Sequence, residues 1–168
     1  MASIRERILS GIAADETAWT ALAASVPPAR MSEPGPMGDW TFRDLVSHLL
    51  SWRNRTITRL EAARAGAQRP ANPWPAGMDE DDPINDWFRR QDAGRSAADL
   101  VATYAASFAR VAGAVGALPG AAFLSELPST PGYYRWRDNS GEVESDFSGH
   151  LNDHADDVRA WLARSSST

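Results

Sequence analysis

The chain has 168 residues, of which 43% are hydrophobic and 23% are charged, proportions typical of a single globular domain. It contains no cysteine, which excludes disulfides, thiolate metal ligands and a cysteine nucleophile, so thiol chemistry would need a cosubstrate that supplies the sulfur. A net charge of −5 and a pI near 5.1 are opposite to the basic surface that nucleic-acid binding needs, and no apolar run reaches the about 18 residues of a membrane span.

Small molecules and proteins remain as partners, and a second copy of the chain in a homodimer is among the latter. Charged residues at positions 5–7 interrupt the first apolar positions, unlike the hydrophobic segment of a signal peptide. We therefore expect a cytoplasmic protein that binds a small-molecule substrate, without nucleic acid or membrane partners. We expect one domain over residues 1–168, with a disordered tail from about residue 164.

The first two predicted helices are marked by periodicity and by their ends. Apolar residues at helical spacing predict a helix from about Ser3 to Ser25, which Pro27 ends. After a loop rich in proline and glycine, Thr41 and Asp44 have the spacing of a capping box, with Asp in place of the usual Glu. The apolar stripe then continues towards Gly66, which predicts a second helix.

The rest of the chain alternates long connections with helices. Residues 68–95 are rich in Pro, Asn, Gly and Asp, but residues 84–88 have enough apolar character to dock a short helix as a lid over one end of a bundle. A third helix is predicted from the N-cap Ser96 to Pro119, and a second long connection, 121–141, leads into the last helix. Four amphipathic helices and no convincing strand predict an all-α four-helix bundle with long crossover loops.

The three histidines of the chain are the strongest functional signal. His150 and His154 lie four residues apart on the predicted inward face of the last helix, which would bring both imidazoles together. His48, on the edge of the apolar stripe of the second helix, is the candidate third ligand. Three imidazoles with one open position are typical of catalytic zinc, although Ni, Fe, Mn or Cu also accept such a site. The apolar arc assigned to this helix consists of Val143, Phe147, Leu151, Val158, Trp161 and Leu162.

Further candidates surround this predicted site. Asp146 and Asp157 lie about one turn from the two histidines, where a carboxylate orients an imidazole or acts as a general base, or is simply a solvated surface charge. Asn85, from the lid, is a further candidate catalytic residue. Aromatic side chains that line a predicted apolar substrate pocket, or else pack only structurally, are Trp52, Trp74, Trp87, Tyr133, Tyr134 and Trp136.

Two segments resemble DinB-like four-helix-bundle proteins. Residues 40–49, Trp-Thr-Phe-Arg-Asp-Leu-Val-Ser-His-Leu, are similar to the W-S/T-x-K/R-D-L-x-x-H-L segment of that family, and residues 150–162 are similar to its closing H-x-x-x-H helix. Residues 83–85, Pro-Ile-Asn, match a lid segment in the branch that includes the colibactin self-protection proteins. The resemblance extends from the first helix to about Leu162.

The resemblance implies an up-down-down-up bundle, often with a divalent metal held by three histidines, here His48, His150 and His154. Similar proteins include mycothiol-dependent maleylpyruvate isomerase and bacillithiol or mycothiol S-transferases, in which the metal activates the thiol of a small cosubstrate. Members of the self-protection branch open a strained cyclopropane by adding water. Membership of this family would therefore limit the possible reaction mechanisms more than it limits the possible substrates.

Three functional hypotheses follow. The first is an enzyme, a transferase or hydrolase, in which a divalent metal, zinc first, activates mycothiol, another thiol or water towards a small electrophile. The second is a metal-free self-protection protein that binds or hydrolyses a hydrophobic or strained-ring natural product. The third is a purely structural metal that joins the second helix to the last.

Overall fold

The computed structural model describes residues 2–123 and 147–164, and within them the fold is an all-α bundle with a small β-hairpin. The helices are α1 (Ile4–Ser25), α2 (Phe42–Arg64), α3 (Asp81–Gln91), α4 (Ala97–Gly116) and α5 (Asn152–Arg164). The strands are β1 (Pro34–Met37) and β2 (Trp40–Thr41), and short 3₁₀ turns occupy Pro28–Arg30 and Gly120–Phe123. No helix in these two ranges is both long and apolar enough to cross a bilayer.

Side-chain caps define the starts of the long helices. The predicted capping box of α2 is confirmed: the Thr41 side chain accepts the backbone N–H of Asp44, and the Asp44 carboxylate accepts that of Thr41, each at 3.1 Å. An equivalent box joins Ser3 to Glu6 at the start of α1. Each box satisfies backbone donors that have no partner within the helix, and such caps typically contribute about 1 kcal/mol.

One continuous hydrophobic cluster joins α1, α2, α4 and α5, and α4 packs against both α1 and α2. Trp19 lies near its centre, 4.7 Å from the Tyr104 ring in an edge-to-face contact and 6.0 Å from Phe42 in a stacked one. Full burial of a large apolar side chain contributes roughly 1.5–3 kcal/mol. The bundle therefore provides a rigid frame for the polar residues that interrupt its apolar faces.

In this part of the chain, one expectation about secondary structure was wrong and one was confirmed. The prediction of no strand missed the antiparallel β1–β2 hairpin, in which Pro34 pairs with Thr41 and Met37 with Trp40. Two-residue pairings have too short an alternation of apolar and polar residues to be seen in the sequence. The predicted short helix within residues 68–95 is confirmed, and α3 buries Ile84 and Phe88 against the bundle.

The last helix begins later than predicted. The helix containing residues 147–150 was expected, but α5 starts at Asn152, because Gly149 has a φ of +96° and so cannot belong to a right-handed helix. His150 therefore lies in a turn and not on the α5 face. Val143 lies outside the described residues, whereas Phe147, placed on the same predicted arc, is buried at 4% exposure as part of the segment before the helix.

Candidate metal centre

The three histidines converge although only two of them are helical. His48 comes from α2, His154 from the first turn of α5 and His150 from the turn that precedes it. One ring nitrogen of each lies within 4.8 Å of the others, and the two Nε2 atoms of His48 and His150 are 2.9 Å apart. Three imidazoles gathered at this spacing can hold one transition-metal ion and leave a coordination position open.

Hydrogen bonding determines which nitrogen of His48 is available. The Oδ1 atom of Asn85 accepts the indole N–H of Trp52 at 2.9 Å and lies 3.0 Å from Nδ1 of His48. Because the indole can only donate, the acceptor oxygen of Asn85 is the atom that faces both rings, so Nδ1 of His48 donates. The lone pair of the neutral ring is then on Nε2, the atom directed at the other histidines, as metal ligation requires.

Burial favours the neutral forms of the His48 and His154 rings. It is the main cause that lowers the pKa of His48 to about 3, and the nearby His150 and His154 add to the effect, against the opposing hydrogen bond to Asn85. Burial also lowers the pKa of His154, while the charges of Asp153 and Asp157 act in the other direction. Neutral imidazoles are the metal-binding form, so the donor set and its protonation fit a divalent ion.

The position of His150 depends on α1. The backbone N–H of Gly149 donates to the carboxylate of Asp15 at 2.9 Å, and Asp15 is only 4% exposed. One turn earlier on α1, Gly11 allows the close approach of Ser148, because a Cβ atom at that position would lie 2.5 Å from its hydroxyl oxygen. The sequence reasoning missed Asp15, although a carboxylate within the apolar stripe of α1 is a signal that could have revealed it.

Aromatic side chains enclose His48. The Trp40 ring, at the end of the hairpin, lies 5.6 Å from the imidazole, and the Trp52 ring lies 6.5 Å from it. Trp74 contacts Trp52 and Phe88, and Trp87 contacts Phe88. Trp74 and Trp87, both predicted to line a substrate pocket, thus belong to an aromatic cluster that also includes Trp52 and Phe88.

A cavity of about 710 Å³ opens beside the histidines. Its wall includes His48, His150, Asn85 and Trp52, so that two of the three candidate ligands face a space large enough for a small molecule. Of the predicted pocket residues that the structure describes, Trp52 lines this cavity, whereas Trp74 and Trp87 are not part of its wall.

The acidic residues near the histidines, and the remaining predicted site residues, are placed differently. Asp157 is exposed on α5, three residues after His154, and it acts on the imidazole through its charge. Asp44, one turn before His48, is occupied by its helix cap and by an ion pair with Arg43. The predicted residues Asp146, Tyr133, Tyr134 and Trp136 lie outside the described residues.

Comparison with known proteins identifies the family. The family described as Mycothiol maleylpyruvate isomerase N-terminal domain matches residues 12–138, well over half of the chain. The chain belongs to the mycothiol maleylpyruvate isomerase N-terminal domain family. This confirms the resemblance to DinB-like proteins seen in the sequence, and no curated protein matches the chain.

A solved structure supports the fold of this family member. The crystal structure of an uncharacterised protein from Escherichia coli UTI89 is similar at a TM-score of 0.74, with 14% sequence identity, over 99% of this chain and 96% of that one. At this identity the similarity concerns the fold, which is the DinB-like all-α bundle. The family match ends at residue 138 and so includes His48 but not His150 or His154, which the tertiary structure brings to it.

Proposed function

We propose that this protein is a divalent-metal-dependent enzyme that joins a small electrophile to a thiol cosubstrate, mycothiol first, or to water. The observation that carries the proposal is the cluster of His48, His150 and His154, whose nitrogens lie within 4.8 Å of one another. Their position beside a cavity of about 710 Å³ supports a catalytic over a purely structural metal, since a substrate can reach the ligands.

The chain contributes ligands and orientation in this proposal. His48, His150 and His154 hold the ion, for which zinc is our first choice, and Asn85 is a positioning residue because it acts through the His48 ring. A bound divalent ion would supply Lewis acidity, which lowers the pKa of a thiol or of water so that the deprotonated nucleophile is available at neutral pH. Because the chain has no cysteine, a thiol nucleophile would come from the cosubstrate, and the family to which the chain belongs supports mycothiol.

The surrounding side chains would orient and desolvate the reactants. The indoles of Trp40 and Trp52 lie close to His48 and would shield its ring from water. We assign to Asp157 the electrostatic support of His154, and a proton-accepting role if water is the nucleophile.

The test begins with metal content. Untagged protein should contain about one divalent ion per chain, and the variants His48→Ala and His154→Ala should lose it while retaining their helical circular dichroism. Asp156→Ala is the matched control, because this exposed carboxylate on α5 lies two residues from His154. The metal-loaded protein should then accelerate the reaction of mycothiol with monobromobimane, and a chelator should abolish this activity.

Three outcomes would contradict the proposal. Protein that takes up neither zinc nor nickel, or activity that survives removal of the ion, would favour the metal-free self-protection hypothesis. A sharp loss of melting temperature on metal removal, with no turnover of any thiol or hydrolytic substrate, would favour the structural metal. Zinc content that is unchanged in the histidine variants would disprove this set of ligands.

A further inference from the structure

Arginines outnumber carboxylates in the part of the cavity wall that the structure describes. Four of these described lining residues are arginines, and α2 contributes three of them without contributing a carboxylate. The arginines are Arg53, Arg55, Arg59 and Arg69, and the lining carboxylates are Asp15, Asp81 and Asp153. Because the chain as a whole carries a net charge of −5, this concentration of arginine at one cavity is opposite to the overall charge.

Among the arginines of this wall, Arg53 is held by three residues of α4. Its guanidinium lies over the Phe108 ring at 3.8 Å and the Tyr104 ring at 4.4 Å, and Nη1 donates to the Ser107 hydroxyl at 3.3 Å. Ser107 and Tyr104 are themselves buried in the bundle. The ring contacts and the hydroxyl therefore hold the planar guanidinium in a defined orientation at the cavity wall.

The charge of Arg53 is not matched by a contacting carboxylate. Within residues 2–123 and 147–164, no ion pair joins it to an acidic side chain, and the bond to Ser107 uses one of its five N–H donors. Burial lowers the pKa of this guanidinium, while Tyr104 and the carboxylates of Asp15 and Glu16 act against that effect without forming an ion pair with it. A cation withdrawn from water without a paired anion is costly, so a ligand that supplies the anion would be stabilised there.

Two more arginines of α2, Arg55 and Arg59, lie on the same side of the helix as His48. His48, Trp52, Arg55 and Arg59 follow one another at spacings of four, three and four residues, which places them on one stripe of α2. Arg59 is only 5% exposed, although it lines the cavity. The stripe rises about 16 Å from His48 to Arg59, at about 1.5 Å per residue. A small molecule in the cavity would thus have the histidines at one end and arginines along its length.

We propose that the substrate carries an oxyanion group, a carboxylate or a phosphate, and that Arg53 binds it. The forked N–H groups of a guanidinium match two oxygens of such a group. Arg53 follows His48 by five residues, a rise of about 8 Å along α2, and both residues line the same cavity, so one small molecule can contact both. This inference rests on the proposed function, since it assigns the substrate class of that same cavity.

The test measures anion binding separately from metal binding. Full-length protein, as purified and after chelator treatment, would be titrated by calorimetry with succinate, inorganic phosphate and the neutral analogue succinamide. We expect one of the oxyanions to bind both preparations, succinamide not to bind, and Arg53→Gln to weaken binding by about tenfold. Arg64→Gln is the matched control, because it removes the same charge from an exposed position of α2 outside the cavity.

Each other outcome overturns the inference. It is wrong if neither oxyanion binds, if succinamide binds equally well, or if R53Q and wild type have the same affinity. Binding that disappears with the chelator would assign the anion to the metal ion instead of Arg53. If R53Q loses helical structure, Arg53→Lys replaces it: loss of the planar fork should weaken binding, and unchanged affinity contradicts the role. Because metal content is measured independently, failure of anion binding leaves the metal proposal standing, and the reverse also holds.

Discussion

The Oδ1 atom of Asn85 lies 3.0 Å from Nδ1 of His48, and this contact joins α3 to the histidine cluster. The two residues are 37 positions apart, and Trp52 donates to the same oxygen from one turn after His48 on α2. The helix α3 therefore takes part in the site by orienting an imidazole. When a ligating histidine loses the residue that hydrogen-bonds its other ring nitrogen, metal affinity commonly falls by about 10–100-fold, and we expect an effect of this size here.

Replacement of Asn85 should accordingly weaken metal binding. We expect Asn85→Ala to raise the zinc Kd by about 10–100-fold, because Nδ1 of His48 loses its acceptor and the ring its orientation. Asn85→Asp keeps an oxygen acceptor and should retain most of the affinity. Asn72→Ala, which removes a loop amide that accepts from Arg55, is the control. Competition titration against a chromophoric chelator measures these constants, and equal affinity in N85A and wild type would contradict the positioning role.

Asp15 should be needed for the placement of His150. In Asp15→Ala the backbone N–H of Gly149 loses its acceptor, which costs about 1–3 kcal/mol for a buried donor and releases the turn. We expect both a lower unfolding free energy and weaker metal binding. Asp15→Asn keeps an acceptor oxygen and should restore metal affinity. The spectrum of the cobalt-substituted protein reports the ligand geometry, and a D15A spectrum identical to wild type would show that α1 does not position His150.

The metal-free protein should lose stability in mild acid through His48. Burial, with the neighbouring His150 and His154, lowers the folded-state pKa of His48 to about 3 from 6.5, so the unfolded chain binds a proton that the folded chain does not. This contribution is complete above pH 6.5 and falls as the pH decreases towards about 3, by at most about 1.4 kcal/mol per pH unit.

Chemical denaturation measures this dependence. Between about pH 7 and about pH 5, above the titration of most carboxylates, His48→Gln should give a flatter profile of unfolding free energy than wild type. Asp156→Ala should leave the slope unchanged, since this carboxylate is exposed on α5. Equal slopes in H48Q and wild type would mean that His48 titrates normally in the folded protein.

The docking of the hairpin on α5 depends on Gly35. A Cβ atom at Gly35 would overlap the indole of Trp161, which is 4% exposed, and the backbone φ there is +141°. We expect Gly35→Ala to lower the unfolding free energy by about 1–3 kcal/mol, as overpacking does. Gly38→Ala is the control, because Gly38 also has a positive φ, +62°, but open space around it. Thermal unfolding should show the smaller loss for G38A, and equal losses would mean that contact with Trp161 is unimportant.

Much of the helical framework was predictable because its causes are local. The stripe of apolar residues in α1 and the capping box of Thr41 and Asp44 depend on residues three or four positions apart, and both were predicted correctly. The short helix at residues 84–88 was also correct, since Ile84 and Phe88 have helical spacing. The hairpin was missed because its pairings are too few to produce a pattern.

The predicted start of the last helix was wrong because the residues that end the helical pattern act through distant contacts. Apolar residues at helical spacing continue back through Phe147, and the periodicity alone gives no signal that Gly149 adopts a φ of +96°. A glycine within a helical pattern is tolerated often enough that it does not by itself end the prediction. The turn is held by Asp15, which is 134 residues away, and such a contact has no trace in the local sequence.

By itself, the sequence determined that this chain forms an α-helical bundle with three histidines available as ligands, because periodicity, capping and residue type act over a few positions. Only the tertiary structure decided that His150 approaches His48 from a turn held by Asp15, that Asn85 fixes the His48 tautomer, and that arginines of α2 line the adjoining cavity. These features depend on side chains far apart in the chain, and packing of the helices determines which of them meet.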